Sequence, residues 1–159
     1  MTTAPEKWIF QLKLRNRAGV LSSLTALFSD RGLSLESLSA HEGSGPGFTG
    51  TAILTFAATA ARKDYLTRLL GRLDTVELVA VLRYDDAAHA RKSALARVFL
   101  PADALQAALP PGILCDVVSA SDTETMALLL GPPSLIDEVL TALTAQDALR
   151  EVDATVIMV

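Results

Sequence analysis

The chain has 159 residues, half of them apolar and 20% charged, enough for one large domain or two near the lower size limit and too apolar for extended disorder. A net charge of −4 provides no basic stripe to displace counterions, which argues against nucleic-acid binding, and no apolar run approaches the roughly 20 residues that span a bilayer. The opening MTTAPEKWIF lacks the features of a secretory leader and Cys115 is the single cysteine, so a cytoplasmic protein without a disulfide or multi-cysteine metal site is expected.

Trp8 to Leu14 alternates apolar and polar, as a half-buried strand does. From Val20 the period changes, and Val20, Leu21, Leu24, Leu27 and Phe28 recur at helical spacing until Gly32. An extended stretch from Leu33 to Glu42, the connector GSGPG and a Thr- and Ile-containing stretch from Phe48 to Phe56 predict a hairpin. Tyr65, Leu66, Leu69, Leu70 and Leu73 mark a second amphipathic helix, and Val76 to Tyr84 a closing strand. The order is βαββαβ, which folds most simply as an antiparallel four-stranded sheet with both helices on one face, the ferredoxin-like arrangement.

After DDAAHARKS the same order recurs in shorter form. Leu95 to Leu100 predicts a strand, Ala102 to Leu109 a short helix ended by Pro110, and Ile113 to Ala120 with Met126 to Leu130 a hairpin. Pro133 and Ser134 open a helix carrying Leu135, Ile136, Val139, Leu140 and Leu143, and Val152 to Val159 closes the sheet. The reading is therefore α+β with two tandem domains, 1–86 and 94–159, joined by a linker at 87–93. Charge divides the same way: residues 1–86 carry +1 and residues 87–159 carry −5. The acidic second half is the expected surface for a partner.

No catalytic constellation is visible. His41 and His89 have no ligands at metal spacing and no nucleophile elbow near them, so both read as surface or edge-strand histidines. Cys115, inside GILCDVV, reads as a buried, inert thiol. Asp85 and Asp86 are too few to hold a metal and read as a solvated pair. No catalytic residue, metal or cofactor is assigned.

The informative segment is Asn16 to Leu21. A turn between a strand and the following helix exposes unpaired N–H groups at a positive dipole end, where a small anion such as an α-carboxylate fits. Gly19 removes a Cβ that would hold a ligand away, and Asn16 offers a donor and an acceptor. The same two residues also fit a plain Asx turn with a glycine dihedral, and the spacing alone does not choose between these.

The stretch LRNRAGVLSSLTALFSDRGLSLESLSAHEG resembles the opening of an ACT domain, and more closely that of the small, regulatory subunit of acetolactate synthase. The family pattern is N-x-x-G-[AV]-L, then L-F, then R-G-[YF]-N-I-E-S-L. Asn16, Gly19, Val20, Leu21, Leu27, Phe28, Arg31, Gly32, Glu36, Ser37 and Leu38 stand at matching places. CDVVSAS, GPPSLIDEVLTAL and LREVDATVIMV are similar in order to the family's C-terminal domain.

The resemblance implies two ACT-type domains and a non-catalytic regulatory protein. It would form a homodimer and bind a valine-like amino acid. It would raise the activity of a thiamine diphosphate-dependent catalytic subunit and mediate feedback inhibition of it. Asn16, Ala18, Gly19, Val20 and Leu21 would form one side of the ligand pocket, and Ser34 and Leu35 the facing side contributed across the dimer. Ser34 stands where the family has asparagine, and the chain lacks the family's R-T-G and L-S-R-G tail. These departures keep open a stand-alone ACT sensor with another ligand, and fold alone would also permit a small enzyme.

Overall fold

The protein is described here by a computed structural model covering residues 4–15, 17–43, 49–86 and 88–159. In strand β1 (Glu6–Arg15), alternation turns Trp8, Phe10, Leu12 and Leu14 into the core. The buried Trp8 indole keeps its hydrogen bond, donating from Nε1 to the Ala58 carbonyl at 3.0 Å. Helix α1 (Val20–Ser29) buries Val20, Leu24 and Phe28 at helical spacing. It ends as the apolar pattern and Gly32 predict: Gly32 adopts φ 62°, its N–H returns to Ser29, and Leu33 N–H reaches Phe28 at 3.0 Å. That pair of bonds is a Schellman cap, which calls for a left-handed residue where Gly32 stands.

Strands β2 (Leu35–His41) and β3 (Thr49–Ala58) form the expected hairpin. Phe48, where the sequence pattern starts the second of them, lies outside the described residues. Helix α2 (Ala60–Leu70) starts well before Tyr65, because Thr59 caps it by accepting the Arg62 N–H at 3.3 Å and its first turn is polar and solvent-facing. Tyr65 is exposed and lies under the Arg31 guanidinium, and Leu73 falls beyond the helix end. Strand β4 (Val76–Arg83) completes an antiparallel sheet in the order β2-β3-β1-β4. Both helices cover one face. Phe28, Leu66 and Leu70 pack with Phe10, Leu12 and Leu54 around Phe56, whose ring meets Phe10 and Phe28 edge-on at 4.8 and 5.0 Å.

The second unit repeats the plan with β5 (Ala90–Val98), α3 (Ala102–Ala108), β6 (Leu114–Ala120), β7 (Thr125–Gly131), α4 (Pro133–Ala145) and β8 (Leu149–Met158), in the sheet order β6-β7-β5-β8. Its helices supply Leu105, Ile136, Val139 and Leu143 to a core with Ala94, Ala96, Val98 and Leu129. The two units are Met1–Asp86 and Ala87–Val159. Strand β5 starts at Ala90, so residues 90–93 belong to the strand rather than to a linker: Lys92 and Ser93 pair with Gly131 and Leu130 on one side, and Val156 and Thr155 on the other.

The duplication extends to the irregularities. Register shifts fall between Leu35 and Ser37 in β2 and between Val117 and Ser119 in β6. They recur between Lys13 and Leu14 in β1 and between Arg97 and Val98 in β5. Helix α4 even closes as α1 does, with Asp147 at φ 54° in the place of Gly32 and Ala148 N–H returning to Leu143 at 2.9 Å. Both units therefore have the βαββαβ fold with two helices against one face of a four-stranded antiparallel sheet. Among the described residues, no helix is long and apolar enough to cross a membrane.

Candidate functional site

Strand β1 ends at Arg15 and α1 starts at Val20, so the chain must reverse within a few residues above the sheet. Asn16 lies outside the described residues. Gly19 makes the reversal at φ 83°, a left-handed conformation that a side chain disfavours by about 1–2 kcal/mol. A Cβ built on Gly19 would meet nothing within 4 Å, so the space above the turn is open. No side chain of the described residues caps α1. Ser23 N–H reaches Gly19 at 2.9 Å, while the N–H groups of Leu21 and Ser22 make no hydrogen bond among the described residues. Free donors and the helix dipole together favour an anion at this end.

That end opens onto a cavity of about 300 Å³, at the lower limit of the ~300–1,000 Å³ typical of small-molecule sites. Gly19, Val20, Leu21 and Ser22 form its α1 side, and Leu14, Arg15 and Arg17 its β1 side. The opposite wall comes from the β2–β3 hairpin, with Ala40, His41 and Glu42 beside Gly50 and Thr51. Register puts them there: Leu14 pairs with Gly50 and His41 with Thr51. Arg15 and Arg17 are already engaged, Nε of Arg15 with Glu77 Oε1 at 3.4 Å and Nη1 of Arg17 with Asp74 Oδ2 at 3.1 Å. They fix the rim rather than present bare charge, leaving the helix N–H groups as the anion donors.

Of the residues singled out from the sequence, Gly19, Val20 and Leu21 line this cavity, and Ala18 is exposed beside it without lining it. Ser34 and Leu35 do not line it. Leu35 pairs with Phe56, six positions along β3 from Gly50, a separation of about 20 Å at the strand rise. Within one copy the two proposed halves of the pocket therefore lie at opposite ends of the sheet. His41, read from sequence as an isolated edge residue, stands in the cavity wall. Its neighbours Glu42, Gly50 and Thr51 carry no local motif; only the pairing of β2 with β3 brings them to the turn.

The remaining candidates lie apart. Cys115 is half-buried against the second core, and burial, with a smaller contribution from the Asp116 carboxylate, pushes its thiol above its ordinary value. Asp86 meets Arg83 at 3.7 Å on the surface. Among the described residues, no three His, Cys, Asp or Glu side chains converge as a metal site.

No protein-family model and no curated protein matches the chain. Among solved structures, the acetolactate synthase small subunit from Thermotoga maritima superimposes with a TM-score of 0.68 over 96% of both chains at 18% identity. The regulatory subunit of aspartate kinase from Thermus thermophilus matches at a TM-score of 0.40 and 13% identity, covering 91% of this chain and 95% of that one; a likeness that weak carries no argument. The first comparison shows the fold: two tandem βαββαβ units, a fold shared with the acetolactate synthase small subunit over 96% of both chains.

Proposed function

We propose that the chain is a non-catalytic, amino-acid-binding regulatory subunit that activates a thiamine diphosphate-dependent acetolactate synthase and carries its valine-type feedback inhibition in the cytoplasm. The observation that carries this reading is the coincidence of the cavity with the motif: Gly19, Val20 and Leu21 of NRAGVL open onto a space of about 300 Å³, enough for an amino acid. The ligand carboxylate sits at the N–H groups of Leu21 and Ser22, which have no acceptor among the described residues, and its aliphatic side chain lies among Val20, Leu21 and Ala40.

A homodimer completes the site. Strand β2 is an edge strand, with unpaired backbone groups that a second copy satisfies. Antiparallel pairing of two β2 strands about a two-fold axis at Leu38 brings Leu35 of the partner subunit beside His41, and Ser34 of the partner subunit to the cavity rim. This supports the placement of Ser34 and Leu35 on the facing side. Ligand then favours one arrangement of the dimer, and a coupling of about 1–3 kcal/mol changes partner activity or affinity roughly 5- to 150-fold.

The experiment is a thermal-shift series with the twenty amino acids, followed by acetolactate formation by the catalytic subunit with and without this chain. Stabilisation by valine or a close analogue and a ligand-dependent change in rate are expected. Binding without any effect on acetolactate formation would instead favour a stand-alone sensor, the reading that Ser34 in place of asparagine supports. No stabilisation by any amino acid would remove the amino-acid-binding reading and leave only a stand-alone sensor of a different ligand.

A further inference from the structure

The net charge of −4 conceals a local excess of the opposite sign on α2. Arg62, Tyr65, Leu69 and Arg72 follow one another at steps of three, four and three residues, so they stand in one ridge about 15 Å long. The helical turn continues through its far end, where Arg72 N–H returns to the Leu69 carbonyl at 3.1 Å, and Arg68 lies about one turn on from Tyr65, beside the ridge. Leu66 and Leu70 take the core side, which leaves Arg62, Tyr65, Arg68 and Arg72 exposed and Leu69 half-buried. At the near end α1 is followed by a fourth arginine: the Arg62 guanidinium donates to the Arg31 carbonyl, and the Arg31 guanidinium lies over the Tyr65 ring at 6.0 Å. None of these residues lines the cavity at Gly19.

These cations are not answered within the chain. Arg31 and Arg62 donate to main-chain carbonyls, and none of the four arginines has an ion-pair partner among the described residues. The acids that follow along the chain are taken: Asp64 by Lys63, Asp74 by Arg17 at 3.1 Å and Glu77 by Arg15 at 3.4 Å. Asp30, next to Arg31, has no ion-pair partner among the described residues and offsets one positive charge of the four.

Arginine and tyrosine are enriched at the energetic centres of protein interfaces, and an apolar centre with a charged rim is the usual plan of such a patch. Tyr65 and Leu69 supply the centre here, and Arg62 and Arg72 the two ends. Screening over about 8–10 Å makes this local excess, rather than the net charge, what a short ligand meets. A long polyanion such as a nucleic acid meets the −4 of the whole chain. A second copy has no matching helix: α1 carries no acid, α2 and α3 one each, and α4 two that are adjacent, Asp137 and Glu138.

We propose that the outer face of α2 docks an acidic helix of another protein, with carboxylates about 15 Å apart on either side of an apolar centre. The inference goes beyond the ligand site and stands without it.

The probe is a fluorescently labelled helical peptide with a leucine stripe between two glutamates ten residues apart, about 15 Å at the helical rise, and its control carries lysines at those two positions. With the full chain at low salt, the glutamate peptide is expected to bind roughly tenfold tighter than the control, a gap that closes as salt rises, and to shift the Tyr65 ring resonances. The double variant Arg68→Glu/Arg72→Glu, at two exposed positions, is expected to remove the preference, with a cooperative thermal melt as its folding control. Tyr65→Ala is expected to weaken the glutamate peptide roughly tenfold. Equal binding of both peptides, a preference that survives the double reversal, or no loss with Tyr65→Ala would overturn the proposal. So would tighter binding of a single-stranded oligonucleotide of equal charge, which would assign the ridge to nucleic acid, or an oligomer that the arginine reversal dissociates, which would assign it to a second copy.

Discussion

His41 stands opposite Thr51 at the open end of the β2–β3 ladder, and both face the cavity that Gly19 leaves uncovered. The far wall of the candidate site is thus set by strand register, whereas the near wall is set by one glycine dihedral. Substitutions at the two walls should separate ligand binding from folding.

Gly19 gives the sharpest separation. Gly19→Ala adds a Cβ in open space, so its cost is conformational, about 1–2 kcal/mol of stability. Gly19→Asp carries the same strain, but its carboxylate caps α1 and offsets part of it. It also places a fixed anion where the ligand carboxylate would bind. Calorimetric titration with valine should show modest weakening for the alanine variant and no detectable binding for a folded aspartate variant. Unchanged binding by the aspartate variant would move the pocket elsewhere.

On the proposed dimer, Leu38 lies on the two-fold axis and meets its own copy. Leu38 is 36% exposed on an edge strand, so Leu38→Lys leaves the fold intact while setting two ammonium groups opposite each other. Sedimentation should show at least a roughly tenfold weaker dimer, with weaker amino-acid binding alongside it because Ser34 and Leu35 of the partner subunit are lost. A dimer unaffected by the change would place the interface on another surface.

The fold was largely legible because each element in the first unit has one dry face. Trp8 to Leu14 alternates except at Ile9, which is apolar and buried, and Gly19 and Gly32 bracket α1, so strand, turn and helix could be read in order. The misreadings have physical causes. The first turn of α2 is AARKD, with no apolar residue larger than alanine to signal a helix, so its start at Ala60 is marked only by the Thr59 cap. The first residues of β5, ARKS, look like linker but are held by backbone pairing on both sides. In β7, Leu128, Leu129 and Leu130 are all apolar while successive side chains face opposite ways, so the sequence hides which of them is exposed. The near wall of the site was legible as a motif. The far wall was not, because His41 and Thr51 meet only through a hairpin.

Cys115 makes a prediction about reactivity. Burial first, and the neighbouring Asp116 carboxylate second, raise its thiol above the unfolded value of 9.0, which lowers the reactive thiolate fraction near neutral pH. Labelling by a disulfide reagent at pH 7.5 should be several-fold slower in the native chain than in denaturant, and Asp116→Asn should recover part of the difference. Because the native pKa is the higher one, this group's contribution is fully present below 9.0 and is lost as pH rises through the native value. Equal labelling rates in native and denatured chains would contradict the assignment.

Asp147 offers the reverse experiment, a substitution that stabilises. It occupies the left-handed position of the α4 cap at φ 54°, the place that Gly32 fills after α1, and its N–H reaches Thr144 at 3.0 Å. Both caps therefore impose the same backbone, but only one has the residue that adopts it freely. The side chain contributes little in return: it is 93% exposed, and its contact with Arg150 is a surface ion pair at 4.0 Å. Asp147→Gly removes the Cβ strain but gives the unfolded chain more freedom, so the net gain is about 0.5–1 kcal/mol, or a melting temperature raised by roughly 1–4 °C. The converse change, Gly32→Asp, meets no neighbour within 4 Å, so its loss should be of similar size and opposite sign. A thermal melt that moved in the same direction for both variants would show that something other than the left-handed dihedral governs these two caps.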